Sequence, residues 1–316
     1  MDTKGKNFFT NNVVVVVGAL ICCFLWGSAF PYIKIGYEQY NIASQDWASQ
    51  ILFGGVRFVI AGIMAIIIGS VIQRKPLYPK KNEVRIVTFV SLFQTIGQYV
   101  LFYIGLAHTS GVRAAIIEGT NVFVAIFVSS LIFKYEKLTS RKIIGSILGF
   151  LGVVVINLAG KSLGEGNLIT GDLMIFLSTI CYAFSSVLLK KYSAVADTVM
   201  ISGYQFVFGG IVMSLAGLLM GGNLHAHGAK AVIVLLYLAF ISAVAYSIWG
   251  VLLKYNPISK VAVIGFMNPV FGVILSAILL REGNGLGFEC LIALILICIG
   301  IVIVNGKKEG NESEGK

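Results

Sequence analysis

Charged residues are scarce in this sequence. Asp, Glu, Lys and Arg together make up 12% of its 316 residues, whereas 57% of the residues are hydrophobic. Soluble globular domains carry about a quarter charged residues, so a soluble globule is excluded. The apolar stretches do not alternate as barrel strands would, and each is long enough to cross the membrane as a helix. The composition therefore predicts an all-α polytopic membrane protein.

Residues with catalytic or metal-binding chemistry are equally scarce. Asp46, Asp172 and Asp197 fall at the ends of apolar stretches, and the three histidines lie at helix ends or in a loop. The five cysteines lie within apolar stretches and lack metal-ligand spacing. There is no His-Glu-x-x-His motif, no serine with a plausible histidine partner and no nucleotide-binding loop. We therefore expect no enzyme, no metal site and no cofactor.

Ten apolar stretches bounded by charge, glycine and proline each predict a transmembrane helix. Their approximate ranges are 13 to 35, 47 to 72, 84 to 107, 112 to 133, 141 to 159, 171 to 190, 197 to 221, 230 to 253, 260 to 280 and 286 to 305. The first stretch has no small-residue cleavage site, so we expect no cleavable signal peptide. Residues 160 to 170 are the expected linker between the segments 13 to 159 and 171 to 305. We expect residues 306 to 316 to be a disordered tail.

Positive charge is unevenly divided between the two predicted sides of the membrane. Its total of +10 is spread over short loops, so we expect no nucleic-acid partner. Most Lys and Arg residues fall on the side of both termini. The other side receives Lys34, Arg113, Lys161, Lys230 and Arg281. Because cytoplasmic loops carry the excess of positive charge, residues 1 to 12 and both termini are predicted to be cytoplasmic and the linker extracytoplasmic. Compact loops and the lack of an organelle targeting peptide favour a prokaryotic cell membrane.

The second half of the sequence repeats the first. Asn121 recurs as Asn268, and Phe58 recurs as Phe206, within segments of nearly constant offset. Further pairs are Trp26 with Tyr182, Lys34 with Lys190, Gly62 with Gly210, Arg113 with Lys260, Ala115 with Ala262 and Ser129 with Ser276. Each half holds five predicted helices, an odd number, so the second half must enter the membrane in the opposite orientation. The predicted fold is ten transmembrane helices as two inverted five-helix repeats, which can exchange inward-open and outward-open states.

Several short motifs occur in the order and spacing of a known family. They are Trp26-Gly27-Ser28-Ala29-Phe30 followed by Lys34, then Arg57-Phe58, Asn268-Pro269-Val270-Phe271, Leu280-Arg281-Glu282 and the apolar run from Gly300. From about residue 13 to 305 the sequence resembles the drug/metabolite transporter superfamily, and within it the EamA type. The resemblance implies secondary transport of a small metabolite, often an amino acid or a relative of one. It also implies a central cavity formed by the first four helices of each half, with the fifth and tenth helices outside. The sequence departs from the family pattern at Glu118 and Val122, where an apolar residue and a proline are usual.

Two charged residues lie inside predicted helices, where charge is costly and faces the interior. Arg57, in the second helix, either anchors a substrate carboxylate or phosphate or is a structural residue bonded to helix carbonyls or to Glu118. We favour the structural interpretation because the family pattern has arginine there across many substrates. Glu118, in the fourth helix, is a candidate for proton coupling because a carboxyl in low dielectric takes up a proton more readily. Its alternatives are contact with a cationic group of the substrate and a fixed ion pair with Arg57.

Polar and aromatic side chains form faces on other predicted helices. Gln94 and Gln98 share a face of the third helix with Tyr99, and this face either lines a cavity or hydrogen-bonds across helices. Asn121 and Asn268 occupy matching positions in the two repeats, which suggests a symmetric role in a gate or cavity floor. The predicted substrate-binding and cavity residues are Trp26, Ser28, Arg57, Gln94, Gln98, Tyr99, Glu118, Asn121, Tyr182, Ser185, Tyr246, Trp249 and Asn268.

The sequence thus predicts a secondary active transporter that moves a small polar metabolite across the cell membrane by alternating access. An amino acid or a related compound is the favoured substrate, and protons are the candidate coupling ion. The expected partners are this substrate and the lipid bilayer, and the chain is a monomer or a homodimer. A drug or cation exporter is the alternative within transport. A membrane scaffold or sensor is the alternative outside it, although such proteins usually carry a sizeable soluble domain.

Overall fold

The computed structural model describes residues 8–134, 137–159, 166–192, 195–256, 264–265, 267–280 and 287–305. Throughout these residues the regular secondary structure is helical, and they contain no β-strand. We number the helices α1 (Asn12–Gln39), α2 (Trp47–Gln73), α3 (Lys81–Ala107), α4 (Gly111–Ile132), α5 (Ser140–Ala159), α6 (Leu168–Leu189), α7 (Thr198–Leu219), α8 (Gly228–Tyr255), α9 (Met267–Leu279) and α10 (Phe288–Asn305).

The lengths and composition of these helices are those of a multi-pass membrane protein. Within the described ranges, seven helices, α1 to α4 and α6 to α8, are long and apolar enough to cross a membrane. α9 and the Phe288–Gly300 part of α10 are shorter apolar helices. The prediction of an all-α polytopic membrane protein is confirmed. The arrangement as ten transmembrane helices in two inverted repeats stays a prediction.

Capping residues set several helix boundaries. The side chains of Asp46 and Asp197 accept backbone N–H groups at the starts of α2 and α7. Asn167 caps α6 in the same way, so this helix begins at Leu168, inside the predicted linker. The rest of that linker from 160 to 165, the predicted start of the ninth helix at 260 and the predicted tail from 306 to 316 lie outside the described residues.

α3 and α4 depart from regular α-helical geometry where polar residues lie. The segment Leu92–Gly97 of α3 is a π-helix, and it contains the buried Gln94. α4 is interrupted at Gly119 and Thr120, directly after Glu118. π-Helical turns are often found at functional sites because they re-aim side chains relative to a regular helix. Both irregular segments therefore influence the directions of the nearby polar side chains, Gln94 and Glu118.

α2 and α7 approach each other through glycines. A Cβ atom on Gly55 would lie 2.8 Å from the carbonyl oxygen of Gly210, and one on Gly62 would lie 2.5 Å from that of Gly203. The later glycine of α2, Gly62, contacts the earlier glycine of α7, Gly203, so the two helices run antiparallel. In the register of the sequence repeat, Gly55 corresponds to Gly203 and Gly62 to Gly210. Each contact is therefore the counterpart of the other, as in an isologous two-fold interface.

α5 and α10 pack against each other in the same way. A Cβ atom on Gly152 would lie 3.0 Å from the carbonyl oxygen of Ala293, and one on Gly300 would lie 2.5 Å from that of Gly145. The repeat relates Gly152 to Gly300, so this interface is also isologous. Small residues allow such close backbone approach between membrane helices.

The other extensive interfaces also join one half of the chain to the other. α1 packs against α8 and α9, and α6 packs against α3 and α4; α2 contacts α8, and α7 contacts α3. These interfaces form pairs related by the sequence repeat, in which α1 to α5 correspond to α6 to α10. For example, the contact of α1 with α8 corresponds to the contact of α6 with α3. The two halves are therefore interleaved, and their contacts occur in pairs that the sequence repeat relates to each other.

Candidate functional site

Four aromatic side chains meet where the two halves pack against each other. Phe58 of α2 stacks on Phe206 of α7 with ring centroids 5.1 Å apart. The hydroxyl oxygens of Tyr99 and Tyr246, from α3 and α8, lie 3.2 Å apart. The ring of Phe58 lies 4.3 Å from that of Tyr99, and the ring of Phe206 lies 5.0 Å from that of Tyr246. The four rings thus form one buried group with matching contacts from each half.

Two tryptophans extend this aromatic group toward α1. The ring of Trp26 lies 5.3 Å from that of Tyr246 and 5.1 Å from that of Trp249. The indole Nε1 of Trp26 is buried, and no described residue accepts a hydrogen bond from it. Because an indole nitrogen is a donor only, a water or a ligand is needed to satisfy it.

The π-helical part of α3 and the residue directly after it supply two amides to the same region. The side chain of Gln94 lies near that of Tyr246, and both Gln94 and Gln98 are buried, with 2% and 4% of their surface exposed. Their Oε1 atoms have no hydrogen-bond partner in the described part of the chain. Buried polar atoms are ordinarily paired, so these two acceptors are suited to a ligand or to bound water.

Glu118 ends the first segment of α4 and is 8% exposed. Its carboxylate interacts with the side chains of Asn121 and Ser178. The Ser178 hydroxyl donates to the carbonyl of Ile175 at 2.7 Å. The Oε2 atom of Glu118 is buried and lacks a hydrogen-bond partner among the described residues. One oxygen of this carboxylate is therefore open to a proton or to a donor on a ligand.

Tyr182 of α6 lies in the neighbourhood of both Glu118 and Tyr246. The backbone of Asn268, near the start of α9, lies near the Cys23 sulfur of α1, and the Oδ1 atom of Asn268 is buried with no described partner. We use the term central cluster for Trp26, Gln94, Gln98, Tyr99, Glu118, Tyr182, Tyr246 and Trp249. Asn121 and Asn268 border it.

Arg57 lies beside the central cluster and is held by α3 and α8. Its Nε donates to the carbonyl of Leu238 at 3.0 Å, one terminal nitrogen donates to the hydroxyl of Tyr103 at 2.7 Å, and the other donates to the hydroxyl of Ser242 at 3.0 Å. Within the described residues, no carboxylate lies within 4 Å of it. The alternative in which Glu118 forms an ion pair with Arg57 therefore does not occur in this structure. The arginine is instead bonded to a helix carbonyl and two hydroxyls.

Two predicted site residues are engaged within the protein. Ser28 donates to the carbonyl of Leu25 at 2.7 Å and shares a hydrogen bond of 2.9 Å with Tyr237. Ser185 donates to the carbonyl of Tyr182 on its own helix at 2.8 Å. Both hydroxyl groups are therefore hydrogen-bonded within the protein and do not belong to the set of unpartnered polar atoms.

Gln205 of α7 is a central residue that the prediction omitted. Its Oε1 accepts a hydrogen bond from the Thr95 hydroxyl, its backbone carbonyl accepts from Ser91 at 2.9 Å, and its Nε2 is buried without a described partner. In the repeat register Gln205 corresponds to Arg57. Each residue bonds to the helix of the opposite half, so the register of the duplication could have identified Gln205.

A buried ion pair joins the halves at one end of the bundle. Arg113 of α4 pairs with Asp172 of α6, and the side chains are 5% and 4% exposed. The Thr109 hydroxyl also donates to Asp172 at 2.7 Å. The sequence identified Arg113 as a loop charge and Asp172 as a helix-end residue, and it offered no signal that they meet.

A cavity of about 420 Å³ opens between the ends of α1, α3 and α9. It is lined by Lys34, Ile35, Tyr37, Glu38, Ile42, Ser44, Ala107, Leu279 and Leu280. The hydroxyl of Tyr37 donates to the backbone carbonyl of Tyr103 at 2.7 Å. Tyr37, which lines the cavity, is therefore hydrogen-bonded to Tyr103, one of the residues that accept a hydrogen bond from Arg57.

Many membrane transporters are built from two related halves with a binding site between them, and the paired contacts and buried polar atoms of this structure fit that class. The chain belongs to the EamA-like transporter family, which it matches over residues 14–158 and again over 169–306. The family indicates a transporter rather than an enzyme.

Individual relatives agree with this classification. The chain is similar to the uncharacterized transporter YvbV of Bacillus subtilis, with 28% identity over 307 residues and 93% of each chain covered. It is also similar to a probable amino-acid metabolite efflux pump of Salmonella typhimurium, with 23% identity over 297 residues, covering 90% of this chain and 92% of the relative. A solved crystal structure matches with a TM-score of 0.65 and 16% identity over 93% of this chain and 96% of the other. That likeness concerns the fold alone.

Proposed function

We propose that the protein is a secondary active transporter that carries a small polar metabolite, an amino acid or a related compound, across the cell membrane. The observation that carries this proposal is the set of unpartnered polar atoms on Trp26, Gln94, Gln98 and Glu118, buried where the two halves meet. A buried polar group without a partner is costly, so a polar ligand that pairs with these atoms gains affinity. The Salmonella relative, named an amino-acid metabolite efflux pump, supports this substrate class.

Transport proceeds by alternating access between two inverted repeats. The antiparallel, isologous pairing of α2 with α7 and of α5 with α10 supports this arrangement, as does the double match to one family. In such transporters the site lies near the midplane between the repeats. The distribution of Lys and Arg supports a cell-membrane orientation with both termini in the cytoplasm.

The first test is a thermal-stability screen of the detergent-purified protein against amino acids, nucleosides, sugars, organic acids and cationic compounds. A ligand that binds the folded state raises the midpoint of unfolding, and each compound that does so is then measured for flux in proteoliposomes. Saturable stabilisation and flux by at least one metabolite are expected. Stabilisation by lipids alone, with no flux for any compound, would instead favour a scaffold.

Glu118 couples this transport to protons. Its buried Oε2 without a described partner supports the assignment. In proteoliposomes with an imposed pH gradient, wild-type flux is expected to follow the gradient, whereas Glu118→Gln still exchanges substrate at saturating concentration but loses the response to the gradient. An unchanged response in Glu118→Gln would remove the coupling role and leave the transport proposal standing.

A further inference from the structure

The unpartnered atoms of the central cluster are mostly hydrogen-bond acceptors. They are Oε1 of Gln94, Oε1 of Gln98 and Oε2 of Glu118, and Oδ1 of the bordering Asn268 is a fourth. On the donor side, the cluster offers the Trp26 indole N–H, and the neighbouring Gln205 offers its Nε2. A ligand that satisfies this set must bring more donors than acceptors.

The nearby cation is already held by protein groups. All three nitrogen atoms of Arg57 already donate to protein groups, at 2.7 to 3.0 Å. Redirecting the guanidinium to a ligand would leave the Leu238 carbonyl and the Ser242 hydroxyl without their donor, and stranded buried groups are unfavourable. Arg57 therefore acts as a fixed structural element beside the site.

The aromatic rings favour the same kind of ligand as the acceptors. Trp26, Trp249 and Tyr246 pack edge to face, with centroids 5.1 to 5.3 Å apart, and Tyr99 adjoins Tyr246. The faces of aromatic rings carry negative charge density and attract organic cations, tryptophan most strongly. A carboxylate gains nothing from these faces.

We infer that the central cluster recognises the ammonium group of an organic amine, with the Gln94, Gln98 and Glu118 oxygens accepting its N–H bonds and the aromatic rings enclosing its carbon chain. This inference rests on the proposed transport function and names the part of the substrate that is recognised. A carboxylate on the substrate is dispensable. Amines without a carboxylate therefore bind, and acids without an amine do not.

The test compares matched compounds on the purified full-length protein at constant ionic strength. One set is 1,4-diaminobutane, 1,4-butanediol and succinate, and the other is phenethylamine, phenethyl alcohol and phenylacetate. Saturable increases in the unfolding midpoint are expected for the amine of at least one set and for neither the alcohols nor the acids. If acids or neutral metabolites stabilise the protein and amines do not, the ammonium assignment is wrong while transport stands. If no compound of any class stabilises the protein or is transported, both proposals are wrong.

Variants then assign the amine to the central cluster. Gln98→Leu removes an acceptor, and Glu118→Gln keeps an acceptor but removes the negative charge that strengthens its hydrogen bond to an ammonium group. Each variant is expected to weaken amine binding by about tenfold or more. Gln73→Leu is the matched control, because Gln73 lies at the end of α2 and bonds to Asp197 instead. Equal amine affinity in the wild type and in both cluster variants, measured by titrating the shift in the midpoint, would place the amine elsewhere. Gln98→Met provides the same test if Gln98→Leu does not fold.

Discussion

Arg57 shows how a charged side chain can be buried in a membrane helix without an opposite charge. Its five N–H groups can serve a carbonyl and two hydroxyls at once, and its guanidinium carbon lies 5.1 Å from the centroid of the Phe58 ring. The bonds cross from α2 to α3 and α8, so one residue connects both halves. The sequence favoured a structural role for this arginine, and the observed partners support that interpretation.

Removing this side chain is expected to destabilise the fold more than it changes substrate preference. Arg57→Ala leaves the Leu238 carbonyl and the Ser242 hydroxyl unpaired, and we expect a loss of about 3 kcal/mol. Arg57→Lys retains the charge but cannot reach three separate acceptors in one plane, so it is expected to recover only part of the loss. The measurement is the unfolding midpoint in detergent, with the exposed Arg85→Ala as control. A stable Arg57→Ala protein that has lost ligand binding would show that Arg57 is a ligand anchor.

Glycine contacts decide how closely α2 and α7 can pack. Gly62→Ala places a methyl group 2.5 Å from the backbone oxygen of Gly203, and relieving that overlap is expected to cost about 1–3 kcal/mol. Gly18→Ala is the matched control on α1, since its new methyl group meets only the Leu252 and Ile248 side chains, at 3.4 to 3.7 Å. The control is expected to be neutral or slightly stabilising, because alanine is the better helix former. Equal midpoints for both variants would show that α2 and α7 are not in close backbone contact.

The ion pair between α4 and α6 gives a second prediction about helix contacts. Asp172→Asn removes the carboxylate that pairs with the buried Arg113, and breaking a buried pair in this way is expected to cost about 3 kcal/mol. Asp46→Asn is the control, because Asp46 caps α2 through an oxygen that asparagine also has. Thermal unfolding of the two variants in the same detergent measures the difference. A midpoint for Asp172→Asn as high as that of the control would contradict a stabilising role for the pair.

Apolar length and the duplicated motifs were enough to predict helices near their observed positions, because spanning a membrane constrains length and hydrophobicity strongly. The π-helical turn at Leu92–Gly97 left no comparable signal, and it sets the positions of Gln94 and Gln98. Partners across the halves, such as Asp172 for Arg113, were also out of reach. Those contacts depend on which helices are neighbours in space, and local sequence patterns do not encode that adjacency.

At the level of the complete bundle, the paired contacts between the two halves bring some side chains onto their repeat counterparts. Phe58 stacks on its counterpart Phe206, and beside them the hydroxyl groups of Tyr99 and Tyr246 meet. Such self-matched contacts are typical where two related surfaces pack together. The two halves differ where Arg57 corresponds to Gln205. The two halves thus share a common framework, although one half has a charged residue at this position and the other half has a neutral one.

Interleaving also has a consequence for biosynthesis. The glycine face of α2 is covered by α7, and α1 is covered by α8 and α9, so the first five helices enter the bilayer before the surfaces that will cover them have been translated. Until α7 and α8 arrive, the buried polar atoms of α2 and α3 can be satisfied only by each other, by stray water or by the insertion machinery. The nascent first half therefore has uncovered packing surfaces, and the final packing forms only after the second half of the chain has been made.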